Sequence, residues 1–204
     1  MKVLIFGATG GCGRHLVQQA LLQGYEVTAF ARKPHSLNMK HGMLRVAKGD
    51  VFDIRAVESA VKGQHAVICA LGTRSKTPTK VLSKGTENII KAMEKYRVKR
   101  FVCLTSLGVL GSDAGFVLGK IMIPLFWKHV FIDKRKQLEE IMTSDLDWIV
   151  VRAVKLIDGP RTKNYHAALV RPIKNKVSRA NVADFMLKQI KSDRFLREMP
   201  IVSD

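Results

Sequence analysis

An apolar run at residues 3–6 breaks into Gly7-Ala8-Thr9-Gly10-Gly11-Cys12-Gly13 and gives way to a helical pattern. This GxxGxxG spacing, set between a strand and a helix, constrains the fold more than any other stretch. Gly7 permits a tight turn, Gly10 lets backbone N–H groups approach a pyrophosphate at a helix N-terminus, and Gly13 lets that helix pack close to the strand. Glycine spacing alone is a weak signal, and a turn that serves packing only is the plain alternative. Here Leu16, Val17, Ala20 and Leu21 follow at helical spacing, and residues 27–31 form a second short apolar run. Strand, turn, helix and strand fall in register, the context that the motif requires.

Further apolar runs recur at 44–47, 66–71, 101–105 and 148–151, short, rich in β-branched residues and not alternating, as buried parallel strands are. Helical patterns lie between them at 14–23 and 79–96. Residues 137–142 continue a helix begun after Asp113, and a last helix runs to Ile190 with Asn181 as its N-cap. Residues 200–202 form a short final strand. Alternation of strand and helix predicts a doubly wound parallel α/β sheet, because parallel crossovers need helices on both faces. The chain has 204 residues and no linker, repeat or low-complexity stretch. One domain over 1–204 is expected, with a substrate region formed mainly by 106–180.

Where NAD-binding versions of the motif carry Asp or Glu at the end of the second strand, this chain has Ala31-Arg32-Lys33. A carboxylate repels a 2′-phosphate, whereas guanidinium and ammonium groups attract it. Arg32, with Lys33, is therefore the expected seat of the 2′-phosphate of NADP(H); two exposed strand-end charges are the bland alternative. Gly49-Asp50-Val51 follows the third strand, where a carboxylate can accept from an adenine amino group. Leu71-Gly72-Thr73-Arg74 follows the fourth, at the carboxyl edge where open α/β sheets bind ligands.

Composition excludes several classes. A hydrophobic content of 47% and a charged content of 25% argue against disorder. The cysteines Cys12, Cys69 and Cys103 are odd in number and lack CxxC spacing, which fits a reducing, cytoplasmic setting. The first apolar run stops too soon for a signal peptide. The six histidines show no metal spacing. The apolar segment 116–131 is shorter than a membrane span and carries Lys120, Pro124 and Lys128; it reads as a helix kinked at Pro124, either core, lid or partner surface. The net charge of +18 is spread along the chain without a nucleic-acid module, so a solvated basic face or steering of anionic ligands is expected, not nucleic-acid binding.

With these residues in view the chain resembles the atypical short-chain dehydrogenases/reductases of the NAD(P)-binding, NmrA-like group. Within that group it is similar to the flavin reductase, or biliverdin-IXβ reductase, type. The stretches "IFGATGGCG", "GYEVTAFAR", "KGDVFD", "AVICALGTR", "GTENIIKAM", "VCLTS" and "DFMLKQI" carry the resemblance over most of the chain. The resemblance implies NADPH-dependent hydride transfer to a flavin or linear tetrapyrrole. It implies cofactor contacts at Gly7, Thr9, Gly10, Cys12, Gly13, Arg32, Asp50, Val51, Gly72 and Arg74, with Ser106 beside nicotinamide and substrate; Gly11, Lys33, Leu71 and Thr73, in the same motifs, are expected to join them. It also implies a monomer, though the apolar segment keeps a dimer open.

Two departures bear on the substrate. The Tyr-xxx-Lys pair of short-chain dehydrogenases is missing: Tyr96 is followed four residues later by Arg100. After the sixth strand, where the resemblance implies Pro-Pro-His, the chain reads Ala153-Val154-Lys155, and Lys134 falls near a second histidine position. Hydride transfer to a flavin needs two stacked rings and a dry wall more than a proton donor. Carbonyl chemistry does need a donor at oxygen. Three functions compete: a flavin or tetrapyrrole reductase with Ser106 and Lys155 as its catalytic residues, an NADP(H)-binding sensor or scaffold without turnover, and an enzyme on another small molecule with Lys155 or Lys134 as acid.

Overall fold

The computed structural model describes residues 1–73, 77–110, 128–170 and 173–204. In chain order these form β1 (Lys2–Phe6), α1 (Gly11–Leu22), β2 (Glu26–Ala31), a 3-10 turn (Pro34–Leu37), β3 (Leu44–Lys48), α2 (Ile54–Val61), β4 (Ala66–Cys69), α3 (Ser83–Lys95) and β5 (Arg100–Ser106). A second 3-10 turn (Leu107–Leu110), α4 (Lys128–Met142), β6 (Asp147–Ala153), β7 (Lys155–Ile157), β8 (His166–Ala168), β9 (Lys176–Ser178), α5 (Arg179–Lys188) and β10 (Ile201–Ser203) follow.

The main sheet runs β3-β2-β1-β4-β5-β6-β10-β8. Its pairs are parallel except β8, which lies antiparallel to β10 at the edge. β7 and β9 pair in parallel apart from it. Successive strand residues face opposite sides. Val3 and Ile5 of β1 therefore meet Leu16 and Val17 of α1 and Val182 and Met186 of α5. Leu4 and Phe6 meet Val57 of α2, Ile89 and Met93 of α3, and Leu138 and Ile141 of α4. The strand order reverses between β1 and β4, and a doubly wound sheet opens its crevice at the carboxyl ends of such a pair.

The two outer glycines of the motif decide how α1 meets β1. Gly7 has φ +75°, and a Cβ there would lie 2.3 Å from the Ala70 carbonyl oxygen. A Cβ on Gly13 would lie 2.0 Å from the Gly7 carbonyl oxygen. No other residue type fits either place without moving backbone.

The structure amends several boundaries. β4 ends at Cys69 and α3 starts at Ser83, both inside the expected ranges. α5 is capped by Ser178, whose Oγ accepts from the Asn181 N–H at 3.0 Å, and not by Asn181. Asn181 is fully buried and engaged elsewhere: its amide donates to Thr162 Oγ1 and Asp204 Oδ1, at 2.9 and 2.7 Å. α2 was not anticipated, although Asp53 caps it by accepting from the Arg55 and Ala56 N–H groups. β7, β8 and β9 have three residues each, too few to show a period. Residues 111–127, which include most of the apolar segment and Pro124, lie outside the described residues, as does Arg74. No helix among the described residues is long and apolar enough to cross a membrane.

Gly13→Ala is expected to cost about 3 kcal/mol or more, because backbone must shift to admit the methyl group. Gly42, whose Cβ would meet nothing within 4 Å, provides the control. Urea unfolding of both variants should show a large drop in midpoint for the first and almost none for Gly42→Ala.

Candidate functional site

A cleft of about 810 Å³ opens at the carboxyl ends of β1, β2, β4, β5 and β6. Its floor begins at the glycine turn, with Gly7, Thr9, Gly10, Gly11 and Cys12 in the lining. Gly13 does its work behind the turn. The N-cap of α1 is Gly10, no side chain caps the helix, and no acid stands in its first turn. The first amides of α1 and the positive end of its dipole are thus left for an anion. Burial pushes the Cys12 thiol up to about 11, against a weaker opposing pull from Arg179, so Cys12 lies there as a neutral wall.

Arg14 braces this turn. Its Nε donates to the Thr9 carbonyl at 3.2 Å and its Nη1 to the Leu37 carbonyl at 2.9 Å, while Nη2 reaches the Ser36 carbonyl. The chain that follows β2 is so held against the glycine turn. Arg32 at the end of β2 is exposed and lines the cleft, and no carboxylate pairs with it among the described residues. Lys33 is exposed and not part of the lining. Its carbonyl instead accepts from the Ser36 hydroxyl at 2.6 Å. Gly49 and Val51 line the cleft, the latter with its carbonyl held by Asn88 Nδ2 at 2.8 Å. Asp50 does not line it: its carboxylate accepts from the Phe52 N–H at 3.0 Å and shapes the turn. Leu71, Gly72 and Thr73 contribute from the end of β4.

At the end of β5 stand Thr105 and Ser106. Thr105 Oγ1 is buried, lines the cleft and has no hydrogen-bond partner among the described residues. A buried hydroxyl without a partner costs about 1–3 kcal/mol, which a ligand's hydrogen bond would remove. Ser106 Oγ accepts from Lys134 Nζ at 2.8 Å. Lys134 comes from α4, and its Nζ also lies 5.3 Å from the centre of the Phe131 ring. Val130, Ala153, Val154 and Leu156 complete an apolar wall around the pair.

Three tethers fix α4. Asp133, 2% exposed, accepts from the Leu82 N–H at 2.9 Å, the Ser83 N–H at 3.1 Å and the Ser83 hydroxyl at 2.5 Å, and so caps the start of α3 from another helix. Arg135 Nε donates to the Val109 carbonyl at 3.3 Å, and Gln137 Nε2 to Thr86 Oγ1 at 2.8 Å. Lys134 sits among these three.

Lys155 is not brought to the site. Val154 and Leu156 face the cleft, so strand alternation turns Lys155, on β7 between them, to solvent. Sequence reasoning missed Arg179, which enters from the start of α5, lies against Gly11 and pairs with exposed Asp158 at 2.7 Å. No local pattern announces that approach. Arg152 is buried and structural, its Nε and Nη2 donating to the Met199 and Leu169 carbonyls, each at 2.8 Å. Tyr96 and Arg100 flank the opposite, amino end of β5, with Arg100 paired to Asp193 at 2.5 Å. A Tyr–Lys pair does exist at Tyr165 and Lys188, 2.8 Å apart, yet outside the cleft. Burial pushes that phenol up to about 12, the wrong direction for an acid–base tyrosine. Among the described residues no group of three or more His, Cys, Asp or Glu side chains could hold a metal, and the three cysteines are free.

The uncapped helix, the unpaired Arg32 and the orphaned Thr105 hydroxyl all fit a dinucleotide laid across the reversal between β1 and β4. β2 and β5 are three strand spacings apart, about 14 Å at the usual separation. Comparison with known proteins agrees with this geometry. A family described as NAD(P)H-binding matches residues 7–193. An uncharacterised chloroplastic protein of Arabidopsis thaliana is 31% identical over 173 residues, 80% of this chain and 62% of that one. The chain thus spans less than two thirds of that relative. Among solved structures, an oxidoreductase from Lactococcus lactis superposes with a TM-score of 0.87 at 22% identity, covering 100% of this chain and 91% of the other. An anaerobilin reductase from Escherichia coli O157:H7 superposes with a TM-score of 0.83 at 21% identity, covering 99% and 96%.

Desolvation pushes the Lys134 ammonium down from 10.5 to about 8. The unfolded chain then holds the extra proton between those values. The penalty on folding is full below about pH 8 and fades as pH rises toward the unfolded value. Lys134→Met is expected to gain on the order of 2 kcal/mol at about pH 7, less than the whole shift because the cleft admits solvent. The gain should fall to a fraction of that by about pH 10. Urea unfolding of wild type and variant at both pH values tests this, and an advantage that does not change with pH would refute it.

Proposed function

The chain belongs to the NAD(P)H-binding family of atypical short-chain dehydrogenases/reductases, and from that premise we propose that it is an NADPH-dependent reductase of flavins and related planar acceptors, linear tetrapyrroles among them. One observation carries the reading. A single cleft has an acid-free arginine at the end of β2 and a serine–lysine pair in an apolar wall at the end of β5. The first favours a 2′-phosphorylated dinucleotide, and the second suits an acceptor ring that must be kept from water.

In this reading the α1 amides and Arg179 hold the pyrophosphate, and Arg32 holds the 2′-phosphate. Thr105 offers its orphaned hydroxyl to the nicotinamide end. NADPH, when bound, supplies the hydride. The span 106–180 builds the acceptor wall through Ser106, Val130, Lys134, Ala153, Val154 and Leu156. These groups orient the acceptor and exclude water, which is most of what hydride transfer asks of a protein. The name of the Escherichia coli neighbour makes a linear tetrapyrrole one acceptor to offer beside FMN and riboflavin.

Loss of reduced-nicotinamide absorbance with each acceptor, NADPH against NADH, tests the reading. Turnover with strong preference for NADPH is expected, and binding without turnover on any acceptor overturns it. Arg32→Ala should weaken NADPH binding about 10- to 100-fold, the worth of one charge-assisted hydrogen bond, and leave NADH within about 3-fold. Calorimetric titration of both cofactors measures the contrast.

A further inference from the structure

We propose that Leu169, Val170 and Ile173, between β8 and β9, dock on an anionic lipid surface, with Lys155, Lys174 and Lys176 on its headgroups. This inference goes beyond the reductase reading above and does not depend on it.

Val170 is 78% exposed, Ile173 65% and Leu169 44%, three large apolar side chains within five positions. The other exposed large apolar side chains among the described residues stand singly along the chain, as is ordinary for a surface. Slack backbone does not explain the cluster. The Leu169 carbonyl accepts from Arg152 Nη2 at 2.8 Å, and Ser203 Oγ accepts from the Ile173 and Lys174 N–H groups at 3.2 and 3.3 Å. Arg152 and Ser203 are both buried. Two groups of the core thus hold this backbone at the edge of the sheet while its apolar side chains face water.

The charge beside them selects the partner. β7 and β9 pair in parallel with Lys155 directly opposite Lys176, and Lys174 lies two residues before Lys176. All three lysines are exposed, and no carboxylate pairs with them among the described residues. Like charges set opposite one another repel, so an anion between them relieves the pair. Between Lys155 and Ser178 the chain has six lysines and arginines against one acid, Asp158, which pairs with Arg179. A second copy of a chain with net charge +18 is repelled. Proteins that bind single-stranded nucleic acid stack its bases on aromatic rings, and Leu, Val and Ile offer no such face. A lipid surface suits both halves of the patch. Short apolar side chains enter the boundary between headgroups and acyl chains, and lysines are drawn to anionic headgroups. Either signal alone gives marginal attachment, and the two together hold.

Co-sedimentation of the full chain with vesicles tests the docking. Vesicles of phosphatidylcholine mixed with phosphatidylglycerol should bind the protein, and vesicles of phosphatidylcholine alone should not. The double variant Val170→Ser, Ile173→Ser leaves every charge in place and should weaken binding about 10-fold or more. The double variant Lys174→Gln, Lys176→Gln should do the same. Leu22→Ser, at a side chain 74% exposed on α1, is the control and should bind as wild type does. Binding that survives loss of the two apolar side chains is attachment by charge alone and overturns the proposal. A second measurement reads insertion itself. The native cysteines Cys12, Cys69 and Cys103 are buried, so a polarity-sensitive thiol dye can be placed selectively at Val170→Cys or Leu22→Cys. Its emission should shift to the blue on anionic vesicles at the first site and stay unchanged at the second. No shift at Val170→Cys, an equal shift at both sites, or the same shift with polyglutamate or duplex DNA overturns the proposal. NADPH oxidation is read separately, so failure here leaves the reductase reading standing.

Discussion

The approach of α1 to the end of β1 is the constraint on which the rest depends. Gly13 lies so close to the Gly7 carbonyl that a methyl group would overlap it. This contact sets the start of α1 at the lip of the sheet, where uncapped amides face the crevice between β1 and β4. Two other helices cap themselves with a side chain, Asp53 for α2 and Ser178 for α5. α1 has glycine in that place. Its unmet hydrogen-bonding capacity is the cost of an anion site, and Arg14 compensates by tying the turn to the chain after β2.

A second constraint is set from the other face. Asp133 donates nothing and accepts three hydrogen bonds at the start of α3, and in doing so it fixes the register of α4. The next residue is the desolvated lysine. A stabilising cap and a destabilising ammonium therefore sit side by side on one helix turn. Local costs of this kind persist where function requires them, and the neighbouring cap keeps the position determined.

The nucleotide half of the site was legible in the sequence because its signals are local. The apolar run, the glycines and Arg32 lie within one βαβ unit, and periodicity places each on its element. The half of the cleft at the end of β5 was not, because its contacts are long-range. Asp133 caps an amide 51 positions away, and Arg179 reaches Gly11 from the far end of the chain. Neither leaves a pattern in a window of ten or twenty residues. The choice between Lys155 and Lys134 shows the limit well. Resemblance to a histidine-bearing loop pointed to Lys155 first, yet the parity of a three-residue strand turns that side chain to solvent. Asp50 likewise stands off the cleft lining, its carboxylate accepting from the Phe52 amide.

The excess of 35 basic over 17 acidic residues looks different once the acids are placed. Asp53, Asp133 and Asp204 accept from backbone amides or side chains inside the fold. Glu58, Glu87, Asp184 and Asp193 are paired with lysine or arginine. None of these seven pairs with a cation of the cleft. Among the described residues Arg32 has no carboxylate partner and Arg179 pairs with Asp158 alone, an acid 93% exposed in its side chain. An ion pair so open to water is worth little, so a phosphate arriving at the α1 amides competes with Asp158 on favourable terms. Desolvation, not a neighbouring cation, disfavours charge on Lys134, and an anionic cofactor in the same cleft would favour its charged form. By linkage, a cofactor that favoured the protonated lysine would itself bind that form more tightly.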